Sequence, residues 1–398
     1  MMNLKYFLLF IITLIFTSCV SIVRGVFGNK IMESNYNPLQ QEQIYFVETP
    51  YTIEDGFVVI KVRINNSKKQ YSFIFDTGAD TVVSEDLLTE LNILNAEKSV
   101  ALDAHGQLSS GATFRTNLSI DSLLINGIRV SSTKSKLFNQ NCNVKFDGII
   151  GWNILKQGYF YFNPSTKILT ITNDRDKIQS QMFQNSLHLK LKMGNPYVKI
   201  KGRRSLWVLF DTGYANGYVN TYTNSGLLEK NAKLIKSKKQ ITASLNSSKL
   251  LDIDYFKQNV KFGNFYKSQS IAVSDLKINS LGNKILQENH VIIDVTNNKL
   301  FITPIDAKNK EREISNIGFS YNEENVIVAS IVDKSIFGIA GIKINDTIIK
   351  LNEYTMSDLK NYCEYNDLFN KLKFPLIMVF KNRDQQIEIT ATREEYYE

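Results

Sequence analysis

Apolar and polar residues alternate along much of the chain with the two-residue period of strands, interrupted by short polar turns. In FVVIKVRINNSKKQYSFIFDTG, residues 57–78, two such runs flank a polar turn, which predicts a β-hairpin whose second strand ends on Asp76, Thr77 and Gly78. The period changes in SEDLLTELNIL, residues 84–94, where Leu87, Leu88 and Leu91 share one face behind an N-capping Ser84, so a short helix is expected. ALDAHGQLSSGATF, residues 101–114, has strand-like flanks around a small, polar centre and predicts a hairpin exposed at its tip.

These elements recur. FIFDTGAD at 73–80 returns as VLFDTGYAN at 208–216, so that Asp76 and Asp211 stand 135 positions apart, and a strand pair ending in YVKIKGRRSLWVLFDTG precedes the second copy. Downstream, IIGWNILKQGYFYFNPSTKILTI (149–171) is matched by SLGNKILQENHVIIDVTNNKLFI (280–302). Gly151 and Gly282 are 131 apart, and Asn163 and Asp294 each follow their glycine by 12. A single Asp-Thr-Gly is explained as a tight turn after a strand. Two copies in matching contexts predict two homologous β-rich lobes, with ITASLNSSKLLDIDYF (241–256) as the second copy's hairpin. After residue 306 a charged connector, DAKNKEREISN, leads to two strands, a helical run around SDLKNYCEYNDLFNKL and a strand pair, which suits a separate α+β domain.

At 398 residues there is room for two or three cored domains, and the low proline count of 6 fits an ordered, strand-rich chain. The net charge of +8 is spread along the chain; its densest clusters, KGRR at 201–204 and KSKK at 236–239, are short and lack neighbouring aromatic stacking pairs, so no nucleic-acid partner is expected. Lys5, the apolar Tyr6–Phe16 and FTSC at 16–19 resemble a bacterial lipoprotein signal with Cys19 as the lipidated residue; an uncleaved anchor or an ordinary secretory signal is the alternative. Either way the bulk of the chain is exported, and the lipid reading places it in a bacterial cell envelope, anchored and facing the periplasm. Cys142 and Cys363, far apart and in different expected domains, argue against a structural disulfide and a cysteine metal site. His105, His188 and His290 lack acidic neighbours at ligand spacing, so neither a metal nor a cofactor is expected.

Two strand-end carboxylates suit one chemistry. If the lobes pack about a pseudo-twofold axis, Asp76 and Asp211 meet and share a proton. The charged member can then take a proton from a water between them while its neutral partner hydrogen-bonds a scissile carbonyl. Thr77 and Thr212 would bridge the interface, and Gly78 and Gly213 would let backbone N–H groups approach the carboxylates.

DTGADTVV looks like the active segment of retroviral proteinases, and the array FIFDTGA, HGQ, DGIIGWNIL resembles the retropepsin-like aspartic peptidases of bacteria. The resemblance covers residues 55–172 strongly and 195–304 more weakly. It implies an aspartic endopeptidase acting on polypeptides, mainly β, with two retropepsin-like β-barrel lobes forming a pepsin-like bilobal enzyme. It also implies a flap around His105 and Gly106, with Asp80 near substrate backbone. AGIKINDTIIKLN (340–352) resembles the PDZ signature A-G-L-x-x-G-D-x-I-x-x-I-N, with Asn345 where glycine is usual. That second resemblance implies a carboxylate-binding loop at Ile317, Gly318 and Phe319 for a C-terminal peptide, or a domain that only packs against the protease. The expected division is 1–18 signal, 19–45 linker, 46–176 and 177–306 the two protease lobes, and 307–398 the PDZ domain. Two departures stand out in the second copy: Tyr214 where the first has Ala79, and no counterpart of Asp147-Gly148 before Gly282. The rival expectations are an inactive peptide-binding scaffold that keeps the cleft, and a homodimer pairing two Asp76 lobes.

Overall fold

The computed structural model describes residues 44–397, apart from 66, 94, 139–141, 143, 216, 306–312, 323 and 383–384. The expected signal, Cys19 and nearly all of the 19–45 linker lie outside the described residues. The chain is mainly β.

The first ten strands are Phe46–Glu54 (β1), Phe57–Ile64 (β2), Tyr71–Phe75 (β3), Val82–Ser84 (β4), Glu97–Leu102 (β5), Leu108–Ile120 (β6), Leu123–Thr133 (β7), Gly148–Ile150 (β8), Tyr159–Asn163 (β9) and Ile168–Thr172 (β10). The next ten are Ser186–Lys192 (β11), Asn195–Lys201 (β12), Ser205–Phe210 (β13), Val219–Tyr222 (β14), Lys233–Ala243 (β15), Ser248–Phe262 (β16), Phe265–Ser274 (β17), Ser280–Leu281 (β18), Asn289–Asp294 (β19) and Lys299–Pro304 (β20).

The second set pairs as the first does. β3 runs parallel to β8 and antiparallel to β2, and β13 does the same with β18 and β12. β4 lies parallel to β7 as β14 does to β17, while the hairpins β5–β6 and β15–β16 correspond. The two halves join edge to edge where β9 pairs antiparallel with β19 (Phe162 opposite Val291), giving the strand order β1, β10, β9, β19, β20, β11. One hydrophobic core, running from Val47 to Ile302, fills both halves. The expected helix forms over Glu85–Glu90, with the Ser84 hydroxyl accepting from Leu87 N–H and Leu87 buried.

The C-terminal segment has its own core, from Ile317 to Ala391. Its strands are Ile317–Tyr321 (β21), Val326–Ile331 (β22), Thr347–Leu351 (β23), Tyr354–Thr355 (β24), Leu376–Asn382 (β25) and Gln385–Ala391 (β26), with a helix at Tyr362–Asn370. β22 pairs with β15, placing Lys239 opposite Ile331. Beside this joint the buried Lys236 ammonium donates to the carbonyls of Ile314 and Tyr397, and Lys239 pairs with Asp333 at 2.9 Å. Much of the KSKK cluster is therefore used in holding the C-terminal segment.

One expectation is overturned. Cys142 and Cys363 form a disulfide, with their Cα atoms 4.8 Å apart across a separation of 221 residues. The connection between β7 and β8 reaches the start of the Tyr362–Asn370 helix, so distance along the chain gave no measure of distance in space.

Candidate active site

Side chains alternate along β3: Phe73 and Phe75 enter the main core, whereas Ile74 and then Asp76 lie on the opposite face. The backbone fixes where that face ends. Asp76 N–H donates to the Ile150 carbonyl at 2.9 Å, and Asp211 N–H donates to that of Leu281 at 2.9 Å. The glycines that follow sit against the Asp-Thr-Gly loops. A Cβ on Gly151 would meet Ala79 O at 2.3 Å, and one on Gly282 would meet Tyr214 Cδ1 at 2.6 Å.

The two carboxyls hydrogen-bond to each other. Gly213 N–H lies 3.1 Å from both Asp76 Oδ1 and Asp211 Oδ1, and Gly78 N–H donates to Asp76 Oδ1 at 2.8 Å. No side chain fits at either glycine, since a Cβ on Gly213 would stand 2.2 Å from Asp76 Oδ2 and one on Gly78 2.7 Å from Asp211 Oδ1. Burial raises the pKa of Asp76, against the backbone N–H groups of Gly78 and Gly213 that favour its charge. Asp211 is raised well above the usual carboxylate range, by burial first and then by the negative charge and hydrogen bond of Asp76. Two buried acids in contact hold one proton between them over the range in which a lone pair of surface aspartates would both be ionised.

The threonines lock the loops reciprocally. Thr77 N–H donates to Thr212 Oγ1 at 2.9 Å and Thr212 N–H to Thr77 Oγ1 at 3.2 Å, while the Thr212 hydroxyl donates to Phe75 O at 2.7 Å and that of Thr77 to Phe210 O. Both threonines are fully buried. Thr77→Val keeps the shape but strands the Thr212 N–H and the Phe210 carbonyl. Denaturant unfolding is expected to show a loss of about 2–4 kcal/mol, one buried unsatisfied group costing about 1–3.

The departures in the second half have structural explanations. The Tyr214 ring packs where Cβ atoms on Gly217 and Gly282 would be, at 2.2 and 2.6 Å, so it lies over glycine rather than over the carboxyls. Asp147, unmatched in the second half, accepts from Ser72 N–H at 2.8 Å and braces β3.

Asp80 accepts from the Trp152 indole N–H at 2.6 Å. His105 and Gly106 form the tip of the β5–β6 hairpin, Gly106 with a φ of +81° that favours glycine. This tip is clasped by the tip of the β15–β16 hairpin. His105 Nδ1 lies 2.9 Å from Ser247 Oγ, Ala104 N–H donates to Ser244 Oγ at 3.1 Å, and the Ser247 hydroxyl donates to Asp103. Leu245 from the second hairpin also joins a cluster on the Asp76 face, where Val59, Ile74 and Ile149 are covered by Phe138 and Phe146. Sequence reasoning missed Trp152, Leu245 and Ser247 as neighbours of the site. The repeat pointed to a second hairpin, but nothing local said that the two tips would meet.

Ile317, Gly318 and Phe319 open β21, with a bulge between Gly318 and Phe319, and Ile317 and Phe319 belong to the separate C-terminal core. The Phe319 ring packs at a tilt against that of Phe369 on the helix, with centroids 5.3 Å apart. Asn345 has a φ of +71°, which accounts for glycine being the usual residue there.

Comparison with known families places one stretch. Residues 60–154 match a family described as aspartyl protease, a span from β2 through Asp76 to the turn after Gly151. This stretch is an aspartyl-protease-like domain. Among solved structures, basic 7S globulin from soybean aligns with a TM-score of 0.41 and 12% identity, covering 66% of this chain and 95% of that one. No curated protein matches the chain.

Proposed function

We propose that the aspartyl-protease-like domain and the second half together form a single-chain, bilobal aspartic endopeptidase. The lobes correspond to residues 46–176 and 177–306, with Asp76 and Asp211 as the catalytic pair. The observation that carries this is the single Gly213 N–H shared by the inner oxygens of two buried carboxyls delivered by equivalent strands. In this reading Asp76 is the charged member. It takes a proton from a water held between the acids while neutral Asp211 donates to the scissile carbonyl; attack gives a tetrahedral intermediate, and proton return to the amine releases the products. The threonine lock and the fixed glycine N–H groups mean that little reorganisation accompanies the reaction. The clasped hairpins, with His105 and Gly106 at one tip, suit a flap that parts to admit substrate, and the Asp80 carboxylate, held by the Trp152 indole through one oxygen, suits a contact to substrate backbone through the other.

Residues 307–398 are read as a PDZ-like domain that docks a peptide C-terminus. Among the described residues β21 pairs with β22 alone, which leaves an edge for strand addition beside the Tyr362–Asn370 helix. The N-terminal pattern, with Cys19 as the anchor, supports export to the cell envelope, and a disulfide fits an oxidising compartment. Pepstatin-sensitive cleavage of an unfolded protein by a species that sediments as a monomer tests the reading. Activity confined to a dimer would favour pairing of two Asp76 lobes, although Asp211 already occupies the position a second Asp76 would take.

A further inference from the structure

The face of β12 and β13 that leads to Asp211 differs from its counterpart in the first half. There, Val59 opposite Ile74 is buried, Lys61 donates to Ser72 Oγ at 2.6 Å and Arg63 to the Asp121 carbonyl at 2.5 Å. In the second half the equivalent positions are Tyr197 opposite Leu209, Lys199 opposite Trp207, and Lys201. Tyr197, Trp207 and Leu209 stand partly open, and Lys199 and Lys201 are exposed. β11 adds Lys190 and Lys192, whose ammonium groups lie over the rings of Trp207 at 4.1 Å and Tyr197 at 5.9 Å. Among the described residues none of these four lysines forms an ion pair. Residues 177–210 contain no Asp or Glu. Tyr197 and Trp207, which flank the KGRR cluster in sequence, are thus brought against lysines of β11.

We propose that the outer face of β11–β13 binds an acidic stretch of the polypeptide substrate where it leaves the Asp76–Asp211 cleft. This deepens the peptidase reading and rests on it for the word substrate. Three observations select an acidic polypeptide. The face runs through Leu209 and Tyr197 to Asp211, so a chain held in the cleft continues onto it, and the Tyr197 phenol responds to the Asp211 charge. Lys199 and Lys201 are two residues apart on one strand, and an extended peptide presents alternate side chains at the same repeat of about 7 Å. The carboxylates of such a peptide meet ammonium groups already held over aromatic rings, where little side-chain freedom remains to be lost. None of the large exposed hydrophobics falls on β11, β12 or β13, which disfavours insertion into lipid.

The test is fluorescence anisotropy with the full chain carrying Asp76→Asn and two labelled peptides that share a neutral core, one with a Glu/Ser tail and one with a Gln/Ser tail. At low salt the Glu peptide is expected to bind at least about tenfold more tightly, with the advantage fading as exposed charges are screened. Lys199→Glu with Lys201→Glu should erase the advantage and leave binding of the Gln peptide unchanged. Equal binding of the two peptides, or an advantage that survives the charge reversal, overturns the proposal. So does tighter binding to anionic phosphatidylglycerol vesicles, or to a single-stranded oligonucleotide, than to the Glu peptide. With Asp76 intact, the same advantage should appear in KM for cleavage. Lysine-dependent binding with no turnover overturns the peptidase reading and leaves the anionic surface standing.

Discussion

Asp76→Asn and Asp211→Asn are each expected to abolish hydrolysis of an unfolded protein, lowering the rate by at least about 10²–10⁴-fold, the range general acid–base groups contribute. In the proposed mechanism each substitution removes a different step. An amide in place of the Asp76 carboxylate cannot take the proton of the water. An amide in place of the Asp211 carboxyl still donates a hydrogen bond to a carbonyl but cannot carry a proton through the cycle. Full activity in Asp211→Asn would show that the second half is structural. The pH dependence follows from the shared proton. Activity should rise as the pair loses its first proton and fall as it loses the second, and because burial raises both acids the window lies above the ordinary carboxylate range.

The same electrostatics predict that these variants part in stability. A carboxyl whose folded pKa is raised contributes most below its unfolded pKa, near 3.9 for Asp, and loses that contribution as pH climbs through the folded value. Asp211 is the strongly raised member, so wild-type protein should lose stability from mildly acidic to neutral pH relative to Asp211→Asn. Thermal unfolding should therefore show Asp211→Asn the more stable at neutral pH and nearly equal to wild type near pH 4. A variant less stable at both values would mean that the acid pair binds the halves together rather than straining them.

The parts of this site legible in sequence are those set by local pattern and repetition. Asp76, Asp211 and their Thr-Gly neighbours were readable because each copy carries the same strand period into the same triplet, and Gly151 and Gly282 because each must let a loop approach. Ser84 was readable as a cap because its hydroxyl serves an N–H three residues on. What escaped depends on closure of the whole chain. Trp152 donates to Asp80 across 72 positions and Ser247 meets His105 across 142, and neither contact leaves a periodic trace. Tyr214 stood out in place of Ala79, but sequence gives a residue's size without its direction; the ring turns onto Gly217 and Gly282.

Breaking the Cys142–Cys363 bond is expected to have the largest effect on stability. A cross-link over 221 positions closes a long loop in the unfolded chain, and the entropy it withholds there is worth about 2–5 kcal/mol to the folded state. Cys363→Ser should lose that amount, and the loss should fall unevenly. The C-terminal segment has a separate core and would keep the β15–β22 joint, the Lys236 and Lys238 hydrogen bonds and the Lys239–Asp333 pair, this last exposed and of small value. Trp152 and Trp207, the chain's two tryptophans, both lie in the repeats, so indole fluorescence follows the repeats alone. In Cys363→Ser, near-ultraviolet circular dichroism, to which the C-terminal tyrosines contribute, should show an earlier transition than tryptophan fluorescence; in the oxidised protein the two should coincide. Cys142 also lies between Phe138 and Phe146, which cover the wall beside Asp76, so the variant should change KM as well as stability. Coincident transitions at the wild-type midpoint would show that the joint with β15 suffices without the disulfide.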